Sequence, residues 1–244
     1  MNTAELDPRW GQVDRDKKAD AILATVEAFR GDARDGVWLD IGCGSGGVAN
    51  TLATQVRCVI GVDPETWERW QAYTGASSNL RLLRGSYRDL STLLGQEGVD
   101  VVVCNQVYEH VDDPAALLEV IRDVLKPGGL CYFAGPNLIW PVEPHVFWPF
   151  VHWLPRAFAQ AAMRALGSKR AHDLDAWSWS YWKLTRAFRA AGLHYRVAIR
   201  ERIAAQAALS RSLLVRTAAR VPQPLVRVLT PIAPGFVFVL SKPG

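Results

Sequence analysis

Short apolar runs alternate with amphipathic stretches through the first half of the chain. The runs at Val37–Ile41, residues 57–62, Leu80–Arg84, residues 99–104 and residues 130–134 are rich in Val, Ile and Leu, and each is followed by Gly, Asp or Asn. Runs this short, bounded by turn formers, read as buried strands. Residues 48–55, 65–73 and 114–125 lie between them and read as helices; Lys126-Pro127-Gly128-Gly129 stops the last. A further helix over residues 15–29 precedes the first strand, with Ala21, Ile22, Thr25, Val26 and Phe29 on one face and Asp14 placed to cap it. Trp67 and Trp70, three apart, read as packing residues. Five strand–helix alternations predict an α/β fold with a doubly wound parallel sheet and ligand-binding groups at the strands' C-terminal edge.

The first apolar run breaks into glycines at 42, 44, 46 and 47 in the stretch VWLDIGCGSGGV. Strand, glycine turn and helix start, in that order, bring bare backbone close to a ligand. Gly42, Gly44 and Gly47 satisfy the GxGxxG of dinucleotide-binding turns, and that spacing does not by itself choose a cofactor. Asp40 discriminates by charge. A pyrophosphate is anionic and is repelled by a carboxylate just ahead of the turn. S-adenosylmethionine (SAM) has no phosphate and brings an ammonium and a sulfonium, which favour one. The acidic DxGxGxG form therefore points to SAM. Asp63 follows the second apolar run, 17 residues after Gly46, where it can accept hydrogen bonds from both hydroxyls of an adenosine ribose.

The stretches LDIGCGSG, VIGVDPE, VYEHVDDP and VLKPGGLCYFAGPN together resemble the class I SAM-dependent methyltransferases, in particular the subgroup of quinone-biosynthesis and other small-molecule methyltransferases. The resemblance covers residues 37–135, about 40% of the chain, and continues more loosely through residues 181–199. It implies a Rossmann-like sheet of seven strands, the last, residues 236–241, running antiparallel. Carried over, Asp40, Gly42, Cys43, Gly44 and Gly46 form the methionine side of the cofactor site. Asp63, with Pro64 beside it, takes the ribose, and Asn105 and Gln106 face the methionine portion. The family often has an acid directly after the glycine of the third-strand turn, where it holds the adenine amino group. Here Ser86 stands in that place, which leaves Ser86, the backbone at Tyr87, or Asp89 for the contact.

Residues 136–180 form an aromatic insertion. Six of the ten tryptophans (140, 148, 153, 177, 179 and 182) fall in or beside it, and prolines 136, 141, 144, 149 and 155 prevent a continuous helix. Such a segment above a cofactor edge is expected to act as a lid over the acceptor. Methyl transfer aligns and desolvates its reactants, and a sugar hydroxyl also needs a base. His145 and Glu143 in the lid are the first candidates, and His110 after the fourth strand is the second. His152 and His172 rank lower, and His194 precedes a strand far from the edge. No metal-ligand spacing appears, so no metal is predicted. Mg²⁺ clamping a diol through Asp112, Asp113 or Glu143 stays open as an alternative.

Charge divides the chain unevenly. The net +4 is the sum of −3 over residues 1–195 and +7 over residues 196–244, where eight Lys and Arg meet a single acid, Glu201. Residues 200–234 stand where the family has a tight hairpin. This basic stretch, with Leu209, Leu213 and Leu214 among arginines, suits an extra helical layer or contact with an anionic membrane surface. It lacks a nucleic-acid-reading motif, so no nucleic acid partner is expected. Cys43, Cys58, Cys104 and Cys131 form no paired motif and read as small buried residues of a reducing compartment. The expectation is a cytoplasmic protein, with peripheral contact to the membrane's inner face through the basic tail as an option. Oligomeric state is not legible.

One domain spans residues 1–244: an arm and helix to 35, a SAM-binding core at 36–135, the lid at 136–180, and a closing helix, strands and basic insertion at 181–244. The function this implies is SAM-dependent O-methylation of a small molecule. Stacking on Trp and the lid's likeness to those of bacterial glycan methyltransferases favour a hydroxyl of a sugar, oligosaccharide or glycolipid. The alternatives are a quinone, phenol or lipid acceptor, a non-catalytic SAM-fold binding subunit, and a dinucleotide oxidoreductase.

Overall fold

The computed structural model describes residues 12–95, 98–143, 146–168, 171, 174, 177–210 and 212–243. Helix α1 (Gln12–Arg30) leads into β1 (Val37–Ile41), α2 (Gly47–Ala53), β2 (Cys58–Asp63), α3 (Arg69–Ala76) and β3 (Leu80–Arg84). The second half of the core continues through α4 (Leu90–Leu94), β4 (Val99–Asn105), α5 (Pro114–Val124) and β5 (Leu125–Pro136). Then come α6 (Arg156–Ala165), α7 (Tyr181–Ala190), β6 (His194–Val197), α8 (Ile199–Leu209), α9 (Leu213–Ala218), α10 (Gln223–Leu229) and β7 (Gly235–Ser241).

The seven strands form one sheet in the order β3-β2-β1-β4-β5-β7-β6. The first five are mutually parallel, and β7 runs antiparallel to both β5 and β6, as the family resemblance implies. Strand alternation divides the core between two faces. Trp38, Val101 and Val103 face α1 and α2, where Ile22, Leu23, Val26 and Leu52 are buried. Leu39, Ile41, Val102 and Cys104 face α4, α5 and α7, where Leu90, Leu117, Ile121, Leu184 and Phe188 are buried. Strand order reverses between β1 and β4, and a doubly wound sheet opens its ligand crevice at that switch point.

Three boundaries differ from the sequence expectation, each for a local reason. Helix α1 already includes Gln12, so Asp14 is a first-turn acid favoured by the helix dipole and not the cap. Helix α3 starts at Arg69, four residues late, because Asp63 Oδ1 takes the Glu65 N–H at 3.0 Å and holds a turn there. Strand β5 starts at Leu125: Val99 pairs with Leu125 and Val101 already with Leu130, so the Lys-Pro-Gly-Gly segment is a bulge within the strand. The cap of α5 is as its sequence suggests, with Asp113 Oδ1 accepting Ala115 N–H at 3.0 Å and Ala116 N–H at 3.1 Å ahead of Pro114 at the first turn.

Two insertions leave the sheet at its ligand edge. The first follows β5 and builds a small apolar core of its own from Val146, Val151, Ala159, Met163, Ala171 and Leu174. Its described part holds only one turn of 3₁₀ helix (Val151–Trp153) before α6 begins directly after Pro155. The second lies between β6 and β7. Because β7 is reversed, the end of β6 and the start of β7 both sit at that same edge, and α8 to α10 bridge them. Helix α8 packs on α1, while Val226 of α10 joins the α7 face. Asn137 joins the bases of the two insertions: its Nδ2 donates to Pro231 O at 2.9 Å and Ala233 O at 2.8 Å, and its N–H to Pro234 O at 3.2 Å. No helix among the described residues is long and apolar enough to cross a membrane.

Candidate active site

The glycine turn is held from below and open above. Val62 O accepts the N–H groups of both Gly42 and Cys43, at 2.8 and 3.2 Å, and Gly42 lies against Val107. Gly44 has φ +52°, and a Cβ built there meets nothing within 4 Å. A side chain would therefore fill the crevice and not clash with protein, as expected where a ligand lies against backbone. The turn ends at Gly46, the N-cap of α2. Gly47 serves a different purpose: the stem of Arg15 crosses it so closely that a Cβ would come within 2.4 Å of Arg15 Cδ.

Asp63 is oriented by backbone. Its Oδ2 accepts Gly44 N–H at 2.8 Å, and its Oδ1 accepts Glu65 N–H at 3.0 Å and, at 3.5 Å, Trp67 Nε1–H; a diol would use the remaining lone pair of Oδ2 and displace the long indole bond at Oδ1. Trp70, buried as expected, also donates Nε1–H to Gly44 O at 2.9 Å and fixes the turn from the α3 side. Pro64 is exposed at the β2 tip, its carbonyl accepting Arg84 Nε at 3.2 Å.

On the adenine side, Ser86 and Asp89 close on each other. Asp89 Oδ2 accepts both the Ser86 N–H and hydroxyl at 2.8 Å, and Ser86 Oγ accepts Arg88 N–H at 3.2 Å, a complete capping box. The Ser86 N–H and hydroxyl hold the Asp89 carboxyl below its usual range. Tyr87 is buried, donates to Asp112 Oδ1 at 2.9 Å and is pushed up to about 12, first by burial and then by that bond.

Asp40 is the one buried carboxylate of the turn. It is 5% exposed, and burial raises its pKa to about 7 against the opposing pull of the Lys18 ammonium. Cys43 is half-buried beside it, its thiol pushed up by burial and by Asp40. Arg15 and Lys18, both from α1, thus stand beside Gly47 and Asp40. Sequence reasoning passed over them because α1 was read only for its apolar face; the basic residues of its other face were the available signal.

The end of β4 supplies the opposite wall. Asn105 is half-buried, and Gln106 is exposed with φ +61°, its N–H donating to Ala134 O at 2.8 Å. A non-glycine residue in the left-handed region is a local strain of the kind found where a ligand is gripped. Tyr108 is fully buried; its hydroxyl donates to Pro136 O and accepts Trp179 N–H at 3.1 Å, tying the lid's two ends to β4. Glu109 is also buried, with Oε2 beside Gly135.

The three base candidates separate. His110 is exposed in the turn following β4, its N–H on Val107 O at 2.9 Å, at the cofactor edge. Glu143 is 1% exposed and its Oε2 accepts Val146 N–H at 2.7 Å, a turn-forming role inside the lid. His145 lies outside the described residues, as does His172. Buried His152 is structural, Nε2 standing 3.1 Å from Leu138 O and 2.9 Å from Trp140 O. His194 opens β6 at the edge opposite the site. Asp112 is bonded to Tyr87 and Arg88, Asp113 caps α5, and no group of three or more metal-ligating side chains occurs among the described residues. Cys104 and Cys131 are buried, their thiols pushed up by burial, while Cys58 is only half-buried.

An acidic glycine turn at the switch point of a sheet in this order defines a Rossmann-like methyltransferase fold. The chain belongs to the class I SAM-dependent methyltransferase family: the family model described as "Methyltransferase domain" matches residues 12–196. It is 31% identical over 125 residues to a ubiquinone biosynthesis O-methyltransferase of Colwellia psychrerythraea, covering 48% of this chain and 49% of that protein. The chain thus spans about half the length of the curated relatives it matches. Among solved structures, the plantazolicin methyltransferase BamL, in complex with S-adenosylhomocysteine (SAH) and a desmethylPZN analog, is similar at TM-score 0.61 and 13% identity, covering 99% of this chain and 90% of that one. A chain of the complex between the Haloferax volcanii Trm112 methyltransferase activator and a putative methyltransferase reaches TM-score 0.57 at 22% identity, covering 98% and 96%. These two likenesses carry the fold.

Proposed function

We propose that the protein is a SAM-dependent O-methyltransferase acting on a hydroxyl of a small molecule. The observation that carries this reading is the convergence, on one sheet edge, of the open Gly44 turn, the backbone-held Asp63 and both insertions. The residues fit SAM: the turn admits a ligand against backbone, Asp63 keeps acceptors for a diol, and buried Asp40 favours an ammonium. When bound, SAM supplies a methyl carbon activated by its sulfonium. The chain's own part is to align the acceptor oxygen, exclude water and take the hydroxyl proton. Exposure in the turn after β4 supports His110 for that last task, with His145 and Glu143 as the lid candidates.

Ring-shaped acceptors suit the lid, where Trp140, Trp153 and Trp177 remain exposed, joined by Trp182 on α7. A saccharide offers them C–H faces and is our first choice of acceptor. A quinol or phenol is the second reading, favoured by the name of the Colwellia relative. The test is incubation with methyl-labelled SAM and panels of sugars and phenols. Label in a sugar sensitive to glycosidase supports the first reading, and label in a phenol the second. Tight SAH binding with no label in either panel or in cell extract counts for a binding subunit.

A further inference from the structure

The cleft between α1 and the second insertion is assigned no part in holding the cofactor above. It has a volume of about 470 Å³, within the range of small-molecule sites, and Lys17, Lys18, Arg202 and Gln206 line it with apolar walls from Leu209 and Val215. Arg202 is the central group. Its Nε donates to the buried hydroxyl of Tyr132 at 3.1 Å, which fixes the guanidinium plane. Its Nη1 is fully buried with no hydrogen-bond partner. A buried guanidinium donor left unpaired is costly, and a water, an ion or a ligand group that reaches it relieves that cost.

Lys18 stands beside it. The Lys18 ammonium is depressed first by burial and next by Arg202, and it interacts with Asp40. Arg15, three residues before Lys18 on α1, crosses Gly47, so the cleft lies beside the glycine turn. Two other acids border it: Asp14, at the mouth, is 3.9 Å from Lys17, and Glu201 neighbours Arg202 along α8. Among the side chains that line the cleft, Lys17, Lys18 and Arg202 stand against Asp14.

Resting on the methyltransferase reading, we infer that this cleft is the acceptor's anion subsite: Arg202 and Lys18 bind a carboxylate or phosphate group of an acidic small-molecule acceptor and so place its hydroxyl toward the transferred methyl. A planar fork and a point charge are the pair that recognises such a group. This narrows the acceptor to acidic rings such as hydroxyaryl acids, uronic acids or sugar phosphates. It also gives the basic insertion a ligand-binding purpose.

The experiment uses the full chain saturated with SAH, at constant ionic strength set with chloride. Benzoate, inorganic phosphate and uncharged benzyl alcohol are titrated separately by calorimetry and thermal shift. The expected result is a saturable response to benzoate or phosphate and none to benzyl alcohol; which anion binds tells carboxylate from phosphate. Arg202→Gln should abolish that response while SAH affinity stays within about twofold, Lys18→Gln should weaken it, and Arg202→Lys should restore part of what Arg202→Gln loses. No response to either anion in a protein that binds SAH overturns the inference and leaves the methyltransferase reading standing. An anion response that survives both Gln variants overturns it too. So does a tenfold or greater loss of SAH affinity in both, which would assign the pair to the cofactor's own carboxylate. Failure of the wild type to bind SAH at all would overturn the underlying reading and this inference with it.

Discussion

The cofactor half of this molecule and the half proposed for the acceptor are built on opposite plans. Around Gly42–Gly47 the turn is held by a backbone carbonyl, a carboxylate and a buried indole: Val62 O, Asp63 and Trp70 fix it before any ligand arrives. The acceptor half instead consists of two insertions with one buried cluster of their own, and Phe147, Phe150, Trp153, Phe158 and Leu166 are exposed. A preorganised cradle suits a ligand that never changes. Aromatic surface mounted on short elements suits one that differs between relatives.

The sharpest break of this contrast is Asp63→Ala. It removes a charged acceptor for two hydroxyls together with the support of Gly44, and SAH affinity should fall ~100-fold, about 3 kcal/mol, in calorimetry. Next, Gly44→Ala should cost ~1 kcal/mol of stability from φ +52° and also weaken SAH binding ~30-fold, because the new methyl enters the crevice. Gly128→Ala is the matched control, since Gly128 also has positive φ, +72°, and open space. It should show the stability loss alone in thermal melts.

Asp40 gives a pH signature. Its folded pKa, about 7, lies above the ordinary 3.8 of an Asp carboxyl, so its contribution to stability is complete below about pH 4 and is lost as pH rises through about 7. The unliganded protein should therefore melt lower at pH 8 than at pH 5, and Asp40→Asn should flatten that slope. Binding runs the other way. The ionised fraction rises roughly tenfold from pH 6 to 8, and SAH affinity should climb by up to about that factor in the wild type and stay level in Asp40→Asn. The smallest effect belongs to the aromatic surface beside the first insertion. Trp182→Ala, at a side chain 51% exposed, should change stability by about 0.5 kcal/mol or less and leave SAH binding unchanged. It should raise the acceptor KM several-fold, ~1 kcal/mol, once an acceptor is in hand.

The core was legible because its signals are local. Valine-rich runs such as residues 99–104, the glycines after Ile41 and the cap at Asp113 each act within a few residues of themselves. What was not legible depends on strand order. Arg15 crosses Gly47 and Lys18 approaches Asp40 only because α1 lies over β1 and α2. Glu143 reads as a reactive carboxylate in a polar list, yet the lid's fold turns it inward onto the Val146 N–H. Residues 199–234 read as a tail with a bias in charge, and their place at the acceptor edge follows only from the reversal of β7.

That reversal has an evolutionary consequence. A segment that starts and finishes on the same rim can lengthen, shorten or be exchanged with no strand changing neighbours, much as a keystone stays put while the masonry above it is replaced. Grafting residues 198–234 from one such protein to another should therefore carry acceptor preference across and leave the nucleoside cradle untouched.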